Sequence, residues 1–168
     1  MYISKITLMN QNLVFKKIDE KERIPYELLL LADPSITVIN EYLKLSDIFV
    51  AKQNEKIIGV IVVLPLTAET AEIKNIAVDP EFQGKGIGSF LIEQVVQTAL
   101  FNNQKNICIG TANSSIGQLY LYQKLGFEIT EIKRNFFLEN YTEPIYENGI
   151  QAKHMIVLKR ILHDNEVL

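Results

Sequence analysis

The sequence predicts one α/β domain over residues 1–168, a single layer of mixed sheet with helices on its faces. Three observations carry that expectation. Strand-like and helix-like segments follow in the order strand, two helices, three strands, helix, strand, helix, two strands. The 168 residues are 48% apolar and 22% charged, enough for one packed core and unlike a disordered chain. A glycine-rich turn at 83–88 stands between a strand and a helix whose broad apolar face suits packing on a sheet.

Along the chain, residues 2–8 alternate loosely and read as an edge strand. Pro25 opens a helical stretch as a first helical residue, and Asp33-Pro34 stops it. Ser35 is a candidate N-cap for a second helix over 36–45, with Val38, Ile39, Tyr42 and Leu45 on one side. Strands follow at 49–51, 57–66 and 71–78, separated by Asn54-Glu55-Lys56 and by 67–70. After the glycine turn, Ile87, Phe90, Leu91, Val95, Thr98 and Ala99 recur at helical spacing. A strand covers 106–111. Asn113 or Ser114 caps a short helix that ends at Lys124, with Gly126 as the left-handed residue beyond it. Long strands are expected at 127–138 and 152–162, with 139–151 as a loop between them.

Composition narrows the function. Seventeen Lys and Arg against 20 Asp and Glu give a net charge of −3, which argues against nucleic acid as the main partner. One cysteine rules out an internal disulfide framework, and with only two histidines, His154 and His163, no metal site is expected. The longest apolar run, 57–66, has ten residues and contains Gly59 and Pro65, whereas a membrane helix needs about 20. With no visible signal peptide, a cytoplasmic protein without membrane association is expected.

Glycines at 84, 86 and 88 allow positive φ and close approach of a ligand to the main chain. The helix start that follows offers unpaired N–H groups and a partial positive charge, a combination that suits phosphate oxygens. A tight turn selected only for packing is the alternative. The P-loop order and the dinucleotide GxGxxG spacing are both absent. What the segment does match is Q-x-x-G-x-G at Gln83, Gly86 and Gly88, preceded by Asn75-Ile76-Ala77-Val78-Asp79-Pro80. This run resembles the acetyl-coenzyme A site of the GNAT superfamily of N-acetyltransferases. Leu121-Tyr122-Gln123-Lys124-Leu125-Gly126-Phe127 resembles that family's second signature, and the element order matches its fold over nearly the whole chain. Residues 143–151, EPIYENGIQ, are similar to a YvbK-like bacterial branch of the superfamily.

The resemblance implies a mostly antiparallel sheet that splays at the acetyl-CoA site. It assigns the pantetheine arm to the backbone of Ile76, Ala77 and Val78, and the pyrophosphate to the turn formed by Gln83, Gly84, Lys85, Gly86, Ile87, Gly88 and Ser89. It makes acetyl-CoA the co-substrate, with no metal. It also implies transfer of the acetyl group to a primary amine, by direct attack in a ternary complex. Tyr122, by its spacing to Gly126-Phe127, would donate a proton to the leaving thiolate. Tyr120 competes for that role, since residues two apart on a helix point about 200° apart. Asn113 is a candidate cofactor contact, although it lies seven residues before Tyr120 and nine before Tyr122. Glu72 is the candidate base; the alternative is a solvated Glu72–Lys74 pair. Cys108 reads as a buried, inert thiol, and neither histidine is assigned a catalytic role.

The 139–151 loop carries Glu139, Glu143 and Glu147 with Tyr141 and Tyr146, and no Lys or Arg. Carboxylates with aromatic faces suit a cationic amine; a solvated acidic loop is the alternative. The acceptor is then a small molecule or a peptide amine. A non-catalytic acetyl-CoA sensor or regulatory module is the competing function. The last strand and its acidic tail, Asp164 and Glu166, leave a homodimer open.

Overall fold

A computed structural model describes residues 13–19 and 21–163. The strand expected at 2–8 and the tail residues Asp164 and Glu166 lie outside the described residues. The chain divides into two compact units, one comprising the chain up to Pro65 with Ile73–Thr98, the other Leu66–Glu72 with the chain from Ala99 onward.

In the first unit, β1 (Leu13–Lys17) pairs antiparallel with β2 (Asp47–Gln53), and β2 pairs antiparallel with β3 (Lys56–Pro65). Helices α1 (Tyr26–Ala32) and α2 (Ile36–Leu43) place Leu28, Leu29, Ile39 and Tyr42 against Val50, Val60 and Val62 of these strands. Ser35 caps α2 as expected, accepting a hydrogen bond from the Val38 amide. Pro25 stands one position earlier than expected, at the N-cap of α1. The opposite face of β3 carries α3 (Ile87–Phe101): a Cβ on Gly59 would stand 3.0 Å from Leu91 Cδ1 and 3.2 Å from Ile87 Cγ2. Glycine is therefore required there by close approach.

Strand β4 (Thr70–Val78) belongs partly to each unit, and its burial alternates, with Ala71, Ile73, Asn75 and Ala77 buried. In the second unit, β5 (Asn106–Ala112) pairs antiparallel with β9 (Met155–Ile161), which pairs antiparallel with β6 (Glu128–Lys133). The pairing order reads β1-β2-β3-β4-β5-β9-β6. Helix α4 (Ile116–Lys124) ends as expected, at Gly126 with φ +81°.

Two expectations need correction. Residues 127–138 are not one strand: β6 stops at Lys133, and α5 (Phe136–Asn140) follows. Asn135 takes φ +59° and its amide donates to His154 Nδ1 at 2.9 Å, which turns the chain out of the sheet. Residues 139–151 are not an open loop either. Strands β7 (Tyr146–Glu147) and β8 (Ile150–Gln151) form a hairpin around Asn148 and Gly149, both at positive φ.

Candidate functional site

The glycine turn of the first unit is built from the end of β4 outward. The Asp79 amide donates to Ile58 O at 2.9 Å, and its carboxylate accepts from the Glu81 amide at 3.0 Å, starting a 3-10 turn over Pro80–Phe82. Lys56 Nζ bridges Asp79 and Glu81 at 2.9 and 3.2 Å. The Lys56 hydrogen bond, followed by that of the Glu81 amide, holds the Asp79 carboxyl below its usual range. Gln83 Nε2 donates to Val78 O at 3.0 Å, tying the turn to the strand end. Lys85 Nζ lies over the Phe82 ring, 5.0 Å from its centre.

Gly84 and Gly86 have φ of +70° and +85°, and a Cβ on either would meet no atom within 4 Å. Their glycine identity therefore comes from backbone conformation, and the main chain around them stays accessible. The first helical bond of α3 runs from the Phe90 amide to Gly86 O at 2.9 Å. The amides of Ile87, Gly88 and Ser89 precede it and have no acceptor within the helix. Residues 83–86 are exposed. An exposed turn leading into the positive end of a helix, with an ammonium group beside it, is chemistry that suits a diphosphate. On β4, Ile76 and Val78 are half-buried and Ala77 buried.

The second unit holds the tyrosines. Tyr122 is 3% exposed with its ring 6.2 Å from that of Phe127, whereas Tyr120 is 66% exposed with Lys124 Nζ over it. Of the two candidates, Tyr122 is the one directed into the protein. Burial first, then the charge of Glu147, pushes its phenol well above the usual tyrosine range.

Glu147 is the residue that sequence reasoning left undistinguished from Glu139 and Glu143. Those two are exposed, whereas Glu147 is half-buried in β7 and accepts a hydrogen bond from the Ser115 hydroxyl. Ser115, not Asn113 or Ser114, occupies the N-cap position of α4, and its side chain makes no cap bond. Its hydroxyl turns to Glu147 instead. The hairpin is fastened to the same helix start by Asn148 Nδ2, which donates to Ser114 O at 2.9 Å. The Asn113 side chain accepts from the Lys153 and His154 amides at 2.8 and 2.9 Å and donates to Gln151 O at 3.1 Å. The signal for this arrangement was the Asn148-Gly149 dipeptide, a strong hairpin marker.

Glu72 is half-buried on β4 and acts on Cys108, whereas the carboxylate acting on Tyr122 is Glu147. Cys108 is half-buried opposite Lys159, and burial is the main cause that raises its thiol pKa. His154 has the structural role of accepting from Asn135. Among the described residues, no group of three or more His, Cys, Asp or Glu could hold a metal ion, and no helix is long and apolar enough to cross a membrane.

Comparison with known proteins adds a family. A family profile described as an acetyltransferase (GNAT) domain matches residues 44–129. The Bacillus subtilis protein described as the uncharacterized N-acetyltransferase YvbK is 46% identical over 133 residues, 79% of this chain and 86% of that protein. A crystal structure of a GNAT family acetyltransferase from Elizabethkingia anophelis with acetyl-CoA bound superimposes with a TM-score of 0.88 at 50% identity, covering 90% of this chain and 99% of that one. A Bacillus subtilis acetyltransferase in complex with CoA gives 0.84 at 42% identity, covering 90% and 100%.

Proposed function

Since the chain belongs to the GNAT family and is an acetyl-CoA-dependent N-acetyltransferase, we propose that it acetylates a primary amine by direct attack on the thioester in a ternary complex. The observation that carries the donor half is the open turn at Gly84 and Gly86 leading into the unpaired amides of α3. The backbone amides of Gly84 through Ser89 hold the pyrophosphate, and Gln83 fixes the turn to Val78. Lys85 adds charge at its mouth, and the backbone of Ile76, Ala77 and Val78 pairs with the pantetheine arm.

In the reaction, the neutral amine nitrogen attacks the acetyl carbonyl carbon. The C–S bond then breaks with its electron pair on sulfur, the nitrogen loses its proton to water, the thiolate takes up a proton from water, and the products are an amide and free coenzyme A thiol. Tyr122 donates a hydrogen bond to the leaving sulfur. Its phenol stays protonated far above neutral pH, so the donor is present in every turnover. Burial also makes it a weaker acid than a free tyrosine, so it stabilises the developing thiolate without full proton transfer. Asn113 makes three bonds to the 151–154 segment, and its contact with the cofactor is tested by the effect of Asn113→Ala on coenzyme A affinity. Glu72 is the candidate to take the amine's proton on from the water. Burial raises the Cys108 thiol pKa, which disfavours it as a nucleophile.

A thiol-release assay with acetyl-CoA and a panel of alkyl amines, peptides and aminoglycosides tests the reading. Amine-dependent release supports it, and so does its loss in Tyr122→Phe with coenzyme A affinity preserved. Tight coenzyme A binding without release by any amine refutes catalysis.

A further inference from the structure

Glu147 is a half-buried carboxylate whose one hydrogen-bond partner among the described residues is the buried Ser115 hydroxyl, a neutral donor. It forms no ion pair with any described Lys or Arg, unlike Glu22, Asp47, Asp79 and Glu81. A partly desolvated carboxylate with spare lone pairs and no cation gains most from a cation that arrives.

Its position is fixed from three sides: the Ser115 bond, the Asn148 bond to Ser114, and pairing with Ile150 across a hairpin whose base Asn113 holds. Ser115 and Tyr122 are seven residues apart, close to two helical turns, and so share one face of α4. A helical tyrosine leans toward the N-terminal end of its helix, here the end where Glu147 sits.

We propose that Glu147 is the acceptor-charge site of this transferase: it pairs with the ammonium of the incoming acceptor, which then gives one proton to water so that the neutral nitrogen can attack, and the preferred acceptors are alkyl amines that are cationic at neutral pH. The inference rests on the acetyltransferase reading above and adds the acceptor's charge class to it. A cation placed there also cancels the negative charge that opposes ionisation of Tyr122. Donor and acceptor are thereby coupled, because the phenol becomes a stronger hydrogen-bond donor once the acceptor is seated. Glu139 and Glu143, exposed, carry no such role.

The experiment compares wild type, Glu147→Gln, Glu147→Asp and Ser115→Ala in thiol release. The acceptors are 1,5-diaminopentane, a lysine-containing peptide, and 4-methoxyaniline, an aryl amine that is neutral at pH 7.5; coenzyme A affinity is followed by calorimetry. Glu147→Gln is expected to raise KM for the cationic acceptors by roughly tenfold or more, with a much smaller effect on the neutral one and no change in coenzyme A affinity. Glu147→Asp restores part of the loss, and Ser115→Ala raises the same KM by a smaller factor. Wild-type turnover with equal KM in Glu147→Gln overturns the charge assignment and leaves the transferase reading intact. Equal loss on charged and neutral acceptors overturns it too, because it marks a structural role. Wild-type binding of coenzyme A with no release from any acceptor overturns the parent reading, and the assignment with it.

Discussion

Gly86 and Gly117 separate backbone strain from packing. A Cβ at either would meet no atom within 4 Å, so sterics with neighbouring side chains are silent in both. They differ in main chain: Gly86 has φ +85°, whereas Gly117 lies in α4 without a positive φ. Alanine in the left-handed region costs about 1–2 kcal/mol. Against this stands a gain of about 0.4–1 kcal/mol from restricting the unfolded chain, which applies at both sites. The net for Gly86→Ala is destabilisation of about 1 kcal/mol, and for Gly117→Ala stabilisation of about 0.5 kcal/mol. For a chain of this size, that is a fall in Tm of about 2–4 °C at Gly86 and a rise of about 1–2 °C at Gly117. Calorimetric melting of the ligand-free protein measures both. Titration with coenzyme A then reads the second consequence: a turn that relaxes from φ +85° no longer aims its amides, so Gly86→Ala weakens coenzyme A and Gly117→Ala does not. Asparagine, which tolerates the left-handed region better, should fall between glycine and alanine at Gly86. A Gly86→Ala protein as stable as wild type, with unchanged affinity, would refute the claim that the turn's conformation is what binds.

Tyr122→Phe should lower kcat by about a hundredfold or more while coenzyme A affinity holds, and Tyr120→Phe should be nearly silent, since that ring faces solvent; steady-state thiol release ranks the two, and the opposite order breaks the assignment. Alkaline pH provides a stability test. Tyr42 and Tyr122 both have folded phenol pKa values raised above the unfolded value of about 10. The native state therefore keeps protons that the unfolded chain releases, and stability that is full below pH 10 should decline as pH rises beyond it. Urea midpoints at pH 8 and 10.5 measure that decline, which Tyr42→Phe should lessen. Cys108, with its thiol pKa raised by burial, should alkylate with iodoacetamide more slowly than glutathione at pH 7.5 and form no acetyl adduct with acetyl-CoA by mass spectrometry.

Much of the fold was legible because its punctuation is local. Ser35 acts before α2 through its own side chain, and Gly126 after α4 and the glycines between β4 and α3 act through their own few backbone angles. Those requirements are written in residue type. The 127–138 segment misled because Phe127 and Ile129 alternate as in a strand, while the break depends on Asn135 entering the left-handed region. Asparagine permits that conformation without requiring it. What commits it is the contact with His154, nineteen residues on, which no local pattern announces. The hairpin around Asn148-Gly149 escaped for a different reason. Its strands are two residues each, too short to show alternation.

The site divides along the same line. A phosphate-binding turn is made of backbone, so its conformation and its donors can be inferred from glycine spacing and a helix start. An acceptor site is made of side chains brought together from distant segments. Ser115 and Glu147 are 32 residues apart, and nothing in the spacing of Glu139, Glu143 and Glu147 ranks one above another. Burial and partnership do the ranking: the exposed pair keep their hydration, while Glu147 loses part of it and, among the described residues, gains one neutral hydroxyl. The same logic separates Tyr122 from Tyr120, which the helical angle made mutually exclusive without choosing between them. The proposed donor half is thus written in residue type, and the proposed acceptor half in the electrostatics of one half-buried carboxylate acting on one buried phenol. Changes of acceptor preference should therefore track substitutions around Ser115, Tyr122 and Glu147, while the glycine turn sets only the donor.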